Sequence, residues 1–273
     1  MKKSLGQHLL LNKTAIQKIV QAANPQNGEL IIEIGPGAGA LTLPLIKKCE
    51  VVGAGLIAIE KDAALAQKLK IKKEGVKIIT GDALKILPAI MQESLFMIHN
   101  YKIVGNIPYY ITGKLLRIIS ELPNKPALTV LMIQKEVAER IIARPPKMNL
   151  LAAAVQYWAT PQLLFNLKPG DFNPPPMVSS AVISLTPNGK TNGSKTTDSY
   201  YRLIRALFKQ PRKTILNNLK SGLSITSKEA TEILKKESLN PNDRPQNLSI
   251  EQIKNLAKFM RSDLVNYYSK IKS

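Results

Sequence analysis

An α/β fold with a mostly parallel, doubly wound sheet, followed by a smaller all-helical domain, is the class this sequence predicts. Three observations carry that expectation. Short apolar, β-branched runs alternate with segments of helical spacing through the first half of the chain. Successive runs end in glycine, an acid or an amide, and a parallel sheet gathers such ends along one edge. A Gly/Ser/Thr/Asn/Lys-rich linker, "TPNGKTNGSKTTDS" (186–199), then separates this half from a tail of amphipathic helices. The domains are accordingly expected at 1–189 and 190–273.

In chain order, residues 12–23 place Ile16, Ile19, Val20 and Ala23 at helical spacing behind Asn12, a capping residue. "LIIEIG" (30–35) stops at glycine and reads as a buried strand, and "ALTLPLIKK" as a helix. "VVGAGLIAIE" (51–60) reads as the second strand, with Gly53-Ala54-Gly55 as a bulge inside it. "DAALAQKLKIKK" is a helix, "VKIITGDAL" a strand and loop, and "YKIVGN" a strand. "ITGKLLRIISEL" is a helix, "ALTVLMIQ" a strand and "KEVAERIIA" a helix. "QLLFNL" and "SSAVISLTP" add strands after the alternation ends. Beyond the linker, "YYRLIRALFKQPRKTILNNLKSGL", "SKEATEILKKESL" and "SIEQIKNLAKFMRSDLVNYYSK" read as three or four amphipathic helices.

The 273 residues suit one substantial core with a smaller appendage, and 44% hydrophobic content can fill it. Net charge is +20, from 39 Lys and Arg against 19 Asp and Glu, a balance that suits a polyanion, nucleic acid before membrane. Residues 190–273 carry 17 basic and 7 acidic groups, against 22 and 12 in the longer first part, so the tail is the more basic region. Cys49 is the single cysteine, which excludes an intrachain disulfide. With only His8 and His99 beside it, no metal site is expected. The N-terminal apolar run is too short and too interrupted for a signal peptide, and no stretch reaches membrane-spanning length, so the cytoplasm is expected.

Four strand ends hold the residues that carry chemistry. "EIGPGAGALT" (33–42) puts Gly35 and Gly37 where a strand turns into a helix, so that backbone can approach a ligand; a plain structural turn is the alternative. Its spacing is not the dinucleotide fingerprint. Glu60, at the end of the second strand, can accept from both ribose hydroxyls, or serve as a surface or capping acid. Asp82 in "GDAL" can accept from an adenine amino group. "GNIPYY" places Asn106, Pro108 and Tyr109 after the fourth strand.

These stretches resemble S-adenosylmethionine-dependent methyltransferases and, more narrowly, the KsgA-type small-subunit rRNA adenine N6,N6-dimethyltransferases. The resemblance rests on "KSLGQHLL" (3–10), "EIGPGAGALT", "GDAL", "NIPYYIT" (106–112), "MIQKEVAERI" (132–141), "FNPPPMVSSAV" (172–182), "LFKQPRKTILNNL" (207–219) and "RPQNLSIEQ" (244–252). Leu9 stands where the family usually has Phe, "MNLLAAAV" lacks the usual Tyr-Gly, and "KQPRK" has Gln-Pro where Arg is common. The resemblance implies a Rossmann-like methyltransferase sheet and S-adenosyl-L-methionine as methyl donor, with no metal. It implies cofactor contacts from Gln7, His8, Leu10, Gly35, Gly37, Glu60, Asp82, Ala83 and Asn106. The implied substrate is a pair of adjacent adenosines in the 3′-terminal hairpin loop of small-subunit rRNA, in an immature 30S particle, with the enzyme a monomer.

The residues suit that task. An exocyclic amine is a poor nucleophile until acceptors hold its hydrogens, and the Asn106 carbonyl with a main-chain carbonyl near Ile107 or Pro108 can do so. Tyr109 offers a stacking face worth roughly 1–3 kcal/mol. Phe172 is the second aromatic expected against the adenine, a buried Phe under a rigid loop being the alternative. Arg202, Arg205, Lys209, Arg212 and Lys213 are expected in or near one helical segment, most of them on one side and facing RNA phosphates, unless they form an ordinary solvated face. Lys114, Arg117, Arg140 and Arg144 can extend the basic surface. Two other readings stand: a large-subunit adenine methyltransferase of the macrolide-resistance type, and a non-catalytic RNA-binding assembly factor.

Overall fold

The computed structural model describes residues 8–69, 76–92, 100–189 and 194–258. Gln7, expected near the cofactor, and the last tail helix beyond residue 258 lie outside the described residues. The chain divides into two compact units, one of Met1–Ala138 and Thr160–Pro187, the other of Glu139–Ala159 and Asn188–Ser273.

The first unit is built on a seven-stranded sheet. Its strands are β2 (Leu30–Ile34), β3 (Gly55–Glu60), β4 (Val76–Thr80), β5 (Tyr101–Asn106), β6 (Leu128–Gln134), β7 (Ala159–Leu167) and β9 (Ser180–Pro187). The order is β4-β3-β2-β5-β6-β9-β7. From β4 to β6 every pairing is parallel, and β9 runs antiparallel to β6. The central strands are buried on both faces, as strands covered by helices must be. The chain runs outward from β2 through β3 to β4, then returns to lay β5 on the other side of β2. That reversal opens a crevice at the carboxyl ends of β2 and β5. Gly105 is needed there: a Cβ on it would meet the Ile34 carbonyl at 2.7 Å.

A short strand, β1 (Leu9–Leu10), pairs antiparallel with β8 (Phe172–Asn173), joining the start of the chain to the loop before β9. Helix α1 (Lys13–Ala23) follows, its Asn12 cap accepting from the Ala15 amide as the sequence predicts.

One element differs from expectation at Gly53. Helix α2 runs Thr42–Val52, so Val51 and Val52 are helical, and β3 starts only at Gly55. Gly53, at φ 75°, ends the helix in the left-handed region with its amide on the Cys49 carbonyl. The glycine pair is a helix stop, not a bulge, and this stop accounts for the long interval from Glu33 to Glu60. Helix α3 (Ala63–Lys68) and α4 (Ala83–Gln92) flank β4; α5 (Thr112–Glu121) follows β5, and α6 (Lys135–Ile142) follows β6. Among the described residues no helix is long and apolar enough to cross a membrane.

In the second unit, α7 (Leu150–Gln156) packs Ala152 and Ala153 with Tyr200, Leu203 and Leu207 of α8 (Ser194–Leu207). The Tyr200 hydroxyl donates to the Ala153 carbonyl at 2.8 Å, and the Met148 amide donates to the Gln246 carbonyl. These contacts explain why residues 139–159, which the sequence reading puts in the first domain, group with the tail. Helices α9 (Ile215–Leu223) and α10 (Ser227–Lys236) and the helical turns at 250–258 complete the unit.

Candidate active site

Every strand end at the switch point contributes to one cleft, lined by His8, Leu10, Glu33, Gly35, Gly37, Glu60, Asn106, Pro108 and Tyr109 among others. A second hollow shares Gly35, Glu60 and Pro108 with it and adds Asp82, Ala83 and Tyr110. The predicted residues from the four strand ends are therefore brought together. The turn after β2 is possible because Gly35 and Gly37 sit at φ 70° and 58°, where side chains are rarely tolerated.

Glu60 is buried, and both carboxylate oxygens are engaged: Oε2 accepts from the Gly37 amide at 2.9 Å and Oε1 from the Asp62 amide at 2.8 Å. It ties the glycine turn to the start of α3, and each oxygen keeps a second lone pair toward the cleft. Asp82 accepts from the Leu84 amide at 3.0 Å and pairs with Lys61 at 3.2 Å. Partial burial alone would raise its carboxyl, but the Leu84 amide, Lys61 and Lys85 together hold it below the usual range.

Asn106 donates from Nδ2 to the His8 carbonyl at 3.1 Å, so its Oδ1 remains an acceptor on a side chain that lines the cleft. His8 in turn donates from Nδ1 to the Pro174 carbonyl at 2.8 Å, and its ring lies nearly parallel to that of Tyr109, 6.2 Å away. Tyr109 is held from behind by a 2.8 Å hydrogen bond to the fully buried Ser180 hydroxyl. Burial raises its phenol, an effect the Ser180 bond opposes.

Phe172 departs from expectation. It is 4% exposed, does not line the cleft, and packs in the core with Leu10, Leu167 and Val182. Pairing of Leu10 with Phe172 puts the ring among the side chains behind β1, where its apolar surface leaves water, rather than at the mouth of the cleft.

Glu33 is the residue that the reading of strand ends passes over. Its side chain is 1% exposed yet lines the cleft, and its Oε2 has no hydrogen-bond partner among the described residues. Burial pushes its carboxyl up to about 8; the neighbouring Thr42 hydroxyl opposes the rise, and the Glu60 charge adds to it. An acid inside a β-branched strand is itself the signal, since such a group is costly to bury without a partner.

In the tail, Arg202, Arg205, Lys209, Arg212 and Lys213 are all exposed. They do not share one helix: α8 ends at Leu207, and the last three lie on a loop. Asn218, 1% exposed, holds that loop. Its Oδ1 accepts from the Gln210 amide at 2.9 Å, and its Nδ2 donates to the carbonyls of Gln210, Lys213 and Thr214 at 2.9, 3.2 and 3.1 Å. Of the other basic residues named, Lys114, Arg140 and Arg144 are exposed, and Arg117 pairs with Glu121 at 2.9 Å.

Sheet order, the glycine turn after β2 and the acid ending β3 define the class: a Rossmann-like methyltransferase. The chain belongs to the ribosomal RNA adenine dimethylase family, whose model matches residues 1–262. It is 37% identical over 260 residues to ribosomal RNA small subunit methyltransferase A of Dehalococcoides mccartyi, covering 93% of this chain and 87% of that protein. The protein of the same name from Acinetobacter baylyi is also 37% identical, over 92% of this chain and 89% of its own. In fold, the chain is similar to a dimethyladenosine transferase from Plasmodium falciparum, with a TM-score of 0.75 at 24% identity over 91% of this chain and 96% of that one. The 23S rRNA methyltransferase ErmE superposes with a TM-score of 0.72 at 19% identity, over 93% and 99%.

Proposed function

We propose that this enzyme uses S-adenosylmethionine to methylate N6 of two adjacent adenosines, twice each, in the 3′-terminal hairpin loop of small-subunit rRNA. The reading takes the immature small subunit as its substrate, the monomer as its working form and the cytoplasm as its location. Support comes from relatives at 37% identity that are named for the small subunit and matched over most of their length. Likeness to the 23S enzyme is one of fold at 19% identity and does not favour the large subunit.

The residues present fit the cofactor. The two adjoining hollows share Gly35, Glu60 and Pro108, so one extended ligand can lie across both. Glu60 and Asp82 are acceptors for ribose and adenine, and the partnerless Glu33 oxygen suits an ammonium group. His8, Leu10, Gly35, Gly37 and Ala83 supply the remaining wall. When bound, S-adenosylmethionine supplies an electrophilic methyl carbon on a positively charged sulfur.

The observation that carries the reading is the Asn106 amide. Because Nδ2 is committed to the His8 carbonyl, Oδ1 is the atom that can accept an adenine N6 hydrogen. The Pro108 carbonyl already accepts from the Ile111 amide, so the Ile107 carbonyl is the better second acceptor. Two acceptors turn the amine lone pair out of conjugation with the ring and toward the methyl carbon. Tyr109, clamped by Ser180 and flanked by His8, gives the base a fixed stacking face. Positive charge moves from sulfur to nitrogen during transfer, so a neutral amide suffices and catalysis is mainly positioning. In the second unit, Arg202, Arg205, Lys209, Arg212 and Lys213 contact RNA phosphates, with Asn218 shaping the loop that carries three of them.

The test is tritiated methyl transfer to undermethylated small and large subunits, with digestion to nucleosides. Label in N6,N6-dimethyladenosine of the small-subunit RNA supports the reading; label confined to the large subunit, or to another nucleoside, contradicts it.

A further inference from the structure

Resting on the functional reading above, we propose that Met177 is an apolar wedge that enters the RNA stack beside the target adenosine and holds open the gap from which that base is drawn. Met177 is wholly exposed, at 101%, and its neighbour Val178 is 43% exposed. A single exposed apolar side chain is ordinary. What sets this one apart is its mounting. The loop that carries it is fixed on both sides to the wall of the cleft. Before it, β8 pairs with β1, and the Pro174 carbonyl accepts from His8, which lines the cleft. After it, the Ser179 carbonyl accepts from the Lys135 amide, and the Ser180 hydroxyl bonds that of Tyr109, the proposed stacking face. Pro174, Pro175 and Pro176 set three successive φ angles, and Pro176, the residue before Met177, is buried. A firmly tied loop therefore holds an uncharged, polarisable side chain in water between two anchors on the cleft wall, on a chain of net charge +20.

A phosphate contact at this position would call for lysine or arginine. An apolar tip suits the face of a base. Proteins that unstack nucleic acid insert Met, Leu, Ile or Phe between bases, and enzymes that act on a base must first take it out of its stack. A wedge on a prefixed loop loses little conformational entropy when it inserts.

The test compares wild type with Met177→Ala, Met177→Leu and Met177→Lys on reconstituted small subunits of two kinds. One carries the intact 3′-terminal loop; in the other an abasic nucleotide replaces the base stacked on the target. On intact subunits, Met177→Ala is expected to lower kcat/KM about tenfold and Met177→Leu to stay within about twofold of wild type. Met177→Lys should resemble Met177→Ala although it adds positive charge. On abasic subunits the Met177→Ala defect should shrink to within about twofold, because the stack is already open. A second readout places 2-aminopurine at the target: wild type should raise its fluorescence on binding, whereas Met177→Ala should bind without the rise. An equal defect on both substrates, unchanged turnover on intact subunits, or an undiminished fluorescence rise with Met177→Ala would overturn the wedge. A wild-type enzyme that methylates no adenosine in intact subunits would overturn the functional reading, and the wedge with it.

Discussion

The cleft in the first unit and the basic loop in the second are both held by side-chain hydrogen bonds, but over different lengths of chain. In the cleft, Asn106 reaches His8 across 98 residues, Tyr109 reaches Ser180 across 71, and His8 reaches Pro174 across 166. In the loop, Asn218 spans only four to eight residues. The cleft therefore exists only when the whole sheet has closed around it, and a change far from the reacting atoms can loosen it. The loop is held over short spans, chiefly by Asn218, so damage there should remain local and spare the chemistry.

Five variants break or sharpen this contrast, the first carrying the largest expected effect. Asn106→Ala removes the proposed acceptor. Single-turnover methyl transfer should fall by about a thousandfold, while cofactor affinity by calorimetry changes only several-fold. Phe172→Ala empties a core site under β1, and denaturant unfolding of the first unit should lose about 3–5 kcal/mol. Because β1 follows directly on His8, which holds Asn106, cofactor affinity and turnover should fall together; a ring that only stacked on adenine would affect turnover alone.

Asn218→Ala leaves one amide and three carbonyls of the loop without their partner. The second unit should lose about 2–3 kcal/mol and RNA affinity should drop, with cofactor binding unchanged. Arg212→Ala combined with Lys213→Ala leaves the loop folded but removes two of the proposed phosphate contacts. Filter binding across a salt series should show the log–log slope reduced by about two.

The fifth variant concerns pH. Folded, Glu33 keeps its proton to about pH 8; unfolded, it loses it near 4.5. Between those values the native state binds more protons than the unfolded one, so this group makes stability decline as pH rises. Glu33→Gln should flatten that decline, measured as the denaturation midpoint from pH 5 to 8.

The contrast also explains what the sequence makes legible. Glu60, Asp82 and Asn106 can be placed from alternation alone, because a parallel sheet brings strand ends to one edge whatever the details of packing. The partners of those groups cannot be read that way. Nothing local to Glu60 announces that the Gly37 and Asp62 amides occupy it, and nothing around Phe172 shows that β1 will cover it. Val51 and Val52 look like strand because they are β-branched, yet the helix continues to Gly53. Pro88 disguises α4, which contains it, as loop. Asn218 resembles any polar residue of an amphipathic helix, and its role depends on where the chain turns after Leu207.

The account stands on the Asn106 carbonyl as the group that aims the adenine amine. The most direct test measures single-turnover methyl transfer and cofactor dissociation constant on the same preparations of wild type, Asn106→Ala and Asn106→Asp, using undermethylated small subunits. Transfer should collapse in Asn106→Ala with the cofactor still bound and should recover in part in Asn106→Asp, which keeps an acceptor oxygen. Full transfer by Asn106→Ala, or a loss that merely tracks weakened cofactor binding, would contradict it.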